Sequence, residues 1–77
     1  MRLEYTIMTT NGPAVGGADV ADREAACRAL EVALGAAFGG TLTSDQVSAV
    51  RRLKSHLRAA DLPFAFRATA VYVTLSA

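Results

Sequence analysis

The segment that most restricts the fold is the last one. Across residues 64–75 nearly every side chain is apolar, β-branched or aromatic, which is the composition of a strand. As one long strand it places Phe64, Phe66, Ala68, Ala70 and Tyr72 on one face and Ala65, Val71, Val73 and Leu75 on the other. Arg67 and the threonines are its polar interruptions. A strand apolar on both faces is normally central in a sheet covered from both sides. Two helices of the length this chain can form cover one face. Either a bulge near residues 68–70 swaps the inward set, or a second chain covers the spare face or extends the edge. The second solution is preferred, with Val71 and Val73 as the strand's contribution to a dimer interface.

Size sharpens the problem. With 77 residues, residues 1–77 make a single domain. A chain this short buries about 60–65% of its unfolded surface and is marginal without a metal, disulfide or partner. At 52% hydrophobic and 19% charged residues it is too apolar to be intrinsically disordered. A single cysteine excludes an internal disulfide and any multi-cysteine metal site. No stretch reaches the roughly 18–20 apolar residues of a membrane span. Residues 1–5 include an acid and begin a strand-like alternation at once, unlike a secretory signal. A lone thiol and no export signal fit a reducing cytoplasm.

Periodicity supplies the remaining elements. Leu3, Tyr5 and Ile7 alternate with Glu4, Thr6 and Met8, the two-residue period of a half-buried strand. Asn11-Gly12-Pro13 ends that strand, and Ala14-Val15 makes at most a short return strand within a flexible connection over residues 12–18. A first helix over residues 20–38, capped by Asp19, gathers Val20, Ala26, Cys27, Leu30, Leu34, Ala37 and Phe38 on one side and stops at Gly39-Gly40. Thr43 to Gln46 fits a capping box that opens a second helix, with Val50, Leu53, Leu57 and Ala60 as its core stripe and Pro63 marking its end. The expected architecture is α+β in the order strand, helix, helix, strand. Two helices pack on one face of a small sheet of two or three strands, extended by dimerisation. On the back of the first helix Ala25, Ala29, Val32 and Ala36 form a small-residue stripe. Alanine is the best helix former, so filler is the plain explanation. Ala25, Ala29 and Val32 join Val71 and Val73 in the expected dimer interface.

The charge of +1 gives no whole-protein field, but it is polarised. Residues 1–40 hold three basic and five acidic side chains (net −2), and residues 41–77 hold five basic and two acidic (net +3). Arg51, Lys54 and Arg58 share one stripe of the second helix, with Arg52 beside them. These four are the candidate partner-binding residues, unless they form only a solvated face on which Asp61 pairs with Lys54 or Arg58. The stripe lacks interleaved aromatics and a basic arm, so nucleic-acid binding through it is weak and salt-sensitive. The glycines before the first helix lack the Lys-Ser/Thr ending of a phosphate loop, and Asp19 and Asp22 would repel a phosphate. Cys27 falls on a core stripe and His56 beside a charged face, which does not suit a nucleophile–base pair. The acids have ordinary cap, pair or surface explanations, Glu31 as a helix-edge group reaching solvent. No catalytic residue, metal ligand or cofactor is expected, and the chain is read as non-enzymatic.

In size, in its strand–helix–helix–strand order and in its lack of a catalytic signature, the chain resembles the compact phage-borne inhibitors of bacterial defence, the anti-CRISPR proteins. The resemblance is one of layout over the whole chain, with no shared motif, so no site residue carries over. It implies steric occlusion of a nuclease or of a nucleic-acid-binding subunit. The expected function is therefore a small protein-binding module that inhibits a larger protein or complex by occlusion. The alternatives are a nucleic-acid-binding regulator using the basic stripe, and a structural assembly subunit.

Overall fold

A computed structural model describes residues 1–39, 42–68 and 70–77. Its elements, in chain order, are β1 (Arg2–Thr9), β2 (Gly12–Asp19), α1 (Arg23–Ala37), α2 (Ser44–Ala59), β3 (Phe64–Ala68) and β4 (Val71–Ser76). The four strands form one antiparallel sheet in the order β2-β1-β4-β3, with the two helices on one face. The class is α+β as expected, but the sheet has four strands rather than two or three.

The extra strands have separate causes. The final segment is a hairpin, not one strand. β3 and β4 pair from Ala68↔Val71 to Phe64↔Leu75, so the chain reverses where a bulge was the alternative; Thr69 lies outside the described residues. Reversal changes which residues share a face. Phe64, Phe66, Val71, Val73 and Leu75 all turn to the helices, and Phe64, Val73 and Leu75 are buried there. One strand apolar on both faces thus becomes two strands apolar on one face each, and the surplus that called for a covering chain is absorbed within the fold.

At the other end, residues 12–19 form a full-length strand despite a sequence, GPAVGGAD, of poor β-propensity. Gly12, with φ of 109°, makes the turn that tighter-restricted residues resist. The Thr9 hydroxyl donates to the Gly12 carbonyl at 2.7 Å and accepts from the Asn11 N–H at 3.2 Å. Pairing then runs from Thr9↔Gly12 to Arg2↔Asp19, and Met1 and Val20 exchange two further bonds at 2.8 and 3.0 Å. Asp19 is therefore in the sheet and faces Arg2 at 3.4 Å. Asp22 takes over as N-cap of α1, accepting from Ala25 N–H at 2.8 Å, which is why the helix begins at Arg23 and not at Val20. Gly39 has the left-handed φ of 69° expected of a helix stop; Gly40 lies outside the described residues.

The start of α2 is as expected. Thr43 Oγ1 accepts from Gln46 N–H at 3.2 Å, and Gln46 Oε1 accepts from Thr43 N–H at 2.8 Å, a reciprocal capping box. The core lies between the helices and strands β1, β4 and β3: Leu3 and Ile7 of β1, Ala26, Cys27, Leu30 and Leu34 of α1, Leu53 and Leu57 of α2, Phe64 of β3, then Val73 and Leu75 of β4. α1 packs over β1 and α2 over β3. No residue of β2 is buried. Among the described residues no helix is long and apolar enough to cross a membrane.

Candidate functional site

The basic stripe of α2 is largely spent on holding the helices together. Arg58 Nε donates to Glu24 Oε1 at 2.7 Å and its Nη2 to Glu24 Oε2 at 3.3 Å, a two-pronged bond between helices. That hydrogen bond holds the Glu24 carboxyl below its ordinary range and raises the Arg58 guanidinium. Lys54 pairs with Glu31 in the same seam, and Arg23 Nη1 donates to the Leu57 carbonyl at 2.9 Å. The partners are acids of α1, not Asp61. Of the four candidate partner-binding residues, Arg51 and Arg52 remain as exposed cations without an ion pair among the described residues, while Lys54 and Arg58 are locally neutralised.

Cys27 and His56 have separate environments. Cys27 is buried, and desolvation pushes its thiol pKa up, the reverse of what an activated nucleophile needs. His56 sits against Phe64 and Phe66, with ring centroids at 6.4 and 5.4 Å. Its Nδ1 is 2.7 Å from the Arg52 carbonyl and so carries a proton toward it. Among the described residues no three His, Cys, Asp or Glu side chains stand close enough to share a metal ion.

The expected dimer-interface residues separate into two groups. Val73 is 0% exposed and Val71 packs against the core, so the β4 half of that interface is corrected: both point under the helices because the chain reverses before them. The α1 half stays at the surface, with Ala25 and Ala29 half-buried and Val32 73% exposed.

Two further surfaces stand out. A cleft of about 280 Å³ opens at the α2 N-terminus, lined mainly by Leu34, Phe38, Val50, Leu53, Phe66 and Val71. The second surface is the sheet face opposite the helices. There Met8 is 52% exposed, Val15 75% and Tyr72 48%. Tyr72 stands between Thr6 of β1 and Arg67 of β3 in register, beside a shallow depression walled by Arg2, Glu4, Gly17 and Thr74. The charges on this face, Arg2 and Arg67 against Glu4 and Asp19, balance. Sequence reading missed this surface because a single long strand puts Tyr72 in the same set as Phe64 and Phe66. A reversal between positions 68 and 71 separates them, but residues 68–70 carry no Gly, Pro, Asn or Asp to signal it. No family model, curated protein or solved structure matches the chain, so its function is to be read from these surfaces.

Proposed function

We propose that the chain is a small non-enzymatic protein-binding module that docks through its open sheet face and inhibits a larger protein by covering part of it. One observation carries this reading: the four-stranded sheet has helices on one side, while the other side exposes Met8, Val15 and Tyr72 in a setting of balanced charge. Tyr and Arg, here Tyr72 beside Arg67, are the residue types that most often anchor protein interfaces. Steric occlusion is also the mode of action suggested by the resemblance to anti-CRISPR inhibitors. That resemblance now draws on size rather than on element order, since the chain runs ββααββ. Against the nucleic-acid alternative, Glu24 and Glu31 neutralise half of the basic stripe, and two free arginines would give weak, salt-sensitive binding.

The experiment is affinity capture from the native host with wild-type chain, Tyr72→Ala and the double variant Arg51→Glu/Arg52→Glu. A partner retained by wild type and the arginine variant but lost with Tyr72→Ala supports the sheet face. A partner lost with the arginine variant and retained by Tyr72→Ala overturns it in favour of the ridge. Nuclease-sensitive capture overturns protein binding itself.

A further inference from the structure

The rim of the sheet formed by β2 is unlike the rest of the surface, and its geometry can be derived strand by strand. In antiparallel pairs, hydrogen-bonded and non-bonded positions alternate. Met1 and Val20 form a bonded pair, and Met8 N–H donates away from β2, to the Ala70 carbonyl at 2.7 Å. The even residues of β2 therefore bond to β1. The backbone groups of Pro13, Val15, Gly17 and Asp19 point outward, into solvent. Pro13 has no N–H to offer, which leaves outward donors on Val15, Gly17 and Asp19.

Natural sheets guard such edges with charges, bulges, shortness or a covering element. β3, the other rim, is guarded: it has five residues, Arg67 stands at an outward-bonding position, Pro63 precedes it and α2 lies over it. β2 has eight residues and is guarded only at its ends, by Pro13 near its start and by Asp19, its one charged side chain, at its close. Its middle, Ala14 to Ala18, carries nothing larger than Val15. Because α2 lies over β3, the strand order puts β2 on the side of α1 that faces away from α2. Glu24 and Glu31 mark the α2-facing side of α1. At 100° per residue the opposite flank is Ala29, Ala33 and Ala36, with Val32 at its crest. Tyr5 lies in the floor between this flank and the edge: a Cβ added to Gly16 would meet its hydroxyl at 2.5 Å, so the ring reaches across Gly16 toward the rim.

We propose that this rim binds a second copy of the chain, β2 pairing antiparallel with the partner's β2 about a two-fold axis near Gly16 and Gly17. A two-fold contact must be self-complementary, and this surface is. The β2 residues at its centre are uncharged, the Arg2 guanidinium that reaches over Gly17 is already paired with Glu4 and Asp19, and antiparallel pairing carries the two Asp19 side chains to opposite ends of the seam. Val15 and Gly17 supply donors and acceptors reciprocally. Across the seam the two β1 strands stand three strand spacings apart, so the two α1 axes are separated by about 14 Å. That exceeds the roughly 8–10 Å of direct helix contact by an amount the Tyr5 rings fill. The eight residues of β2 make the strip about 26 Å long, and with the α1 flank above it the strip approaches the lower range of stable dimers, about 600 Å² per partner. The small-residue stripe of α1 and the glycine-rich strand then belong to one interface. This inference is independent of the sheet-face reading, because it concerns the purified chain alone.

Light scattering on the purified chain over a wide concentration range tests it. The expected particle is a dimer, twice the 8.0 kDa chain mass. A particle of single-chain mass at every concentration overturns the proposal, as does open-ended growth beyond the dimer. Val15→Pro removes an outward N–H without touching the β1 ladder. It should give a monomer with unchanged helical circular dichroism, and a folded Val15→Pro that still dimerises overturns the seam. Should that variant not fold, amide exchange of the wild-type chain decides. The Val15 and Gly17 amides should slow by roughly tenfold or more between dilute and concentrated protein, while Gly16 and Ala18 stay protected throughout. Val15 and Gly17 exchange that does not change with concentration overturns the proposal.

Discussion

The two rims of the sheet are built from opposite materials. β3 presents Phe64 and Phe66 to the helix side, where they stack on each other at 6.4 Å and against His56 of α2. β2 presents Ala14, Gly16 and Ala18 to the same side, and none of its residues is buried. Both are edge strands in the same antiparallel sheet, so backbone pairing does not distinguish them. Side-chain bulk does. It draws α2 over β3 and leaves β2 backed mainly by β1. One rim is part of the core and the other is available surface.

The sharpest way to break this comparison is to truncate one residue on each rim. Phe64→Ala empties a buried aromatic site and is expected to lower unfolding free energy by about 3–5 kcal/mol. Val15→Ala, at a side chain 75% exposed, should fall within about 0.5 kcal/mol of wild type when measured on dilute, monomeric chain. Urea denaturation of both variants checks it. Equal losses would mean that β2 carries as much of the fold as β3 and would remove the distinction.

How the sequence announces these rims differs as well. The capping box at Thr43, the stripes that run through Leu34 to Phe38 and through Leu57 to Ala60, and the alternation of β1 are local patterns, and each corresponds to what forms. The order of those elements was legible for the same reason. β2 was not, because its residues have little strand preference of their own; they become a strand by pairing with β1 once Gly12 turns the chain. The reversal within residues 64–75 was hidden for a different reason. Residues 68–70 carry none of the Gly, Pro, Asn or Asp that usually marks a turn, and alternation continues on both sides with the faces exchanged. Of the basic residues, their shared helix face was readable, but their pairing with Glu24 and Glu31 depends on how α1 and α2 meet, which periodicity does not encode.

Within β2 a finer test separates its two central glycines. A Cβ at Gly17 would lie 2.9 Å from the Leu3 carbonyl oxygen, a backbone atom of the paired strand. At Gly16 the obstacle is the tip of the Tyr5 side chain, which can swing away. Gly17→Ala is therefore expected to cost about 1–2 kcal/mol through forced movement of the ladder, and Gly16→Ala less than that. Thermal denaturation of the two variants orders them. Should Gly16→Ala prove the more damaging, Tyr5 is held far more firmly than a half-buried side chain over an uncovered strand would be, and the β2 rim is not the loose side of the molecule.

The smallest expected effect lies in the seam between the helices, on the side of α1 opposite the β2 rim. The Arg58 hydrogen bond holds Glu24 below the ordinary value of 4.5. A carboxyl whose folded pKa is lowered contributes stability above its unfolded pKa and loses it as pH falls through the folded one. The contribution of this pair should be complete at neutral pH and fade as acid is added below roughly pH 5. Both side chains are about half exposed, 50% and 55%, so the effect is modest and shrinks further with added salt. In denaturation midpoints taken at pH 7, 5 and 3, Glu24→Gln should lie below wild type at pH 7, and the gap should narrow as the pH falls to 3. A gap that stays constant with pH would show that Glu24 acts through packing rather than charge. The seam would then be another apolar contact, and the α1 flanks would differ less in chemistry than their residues indicate.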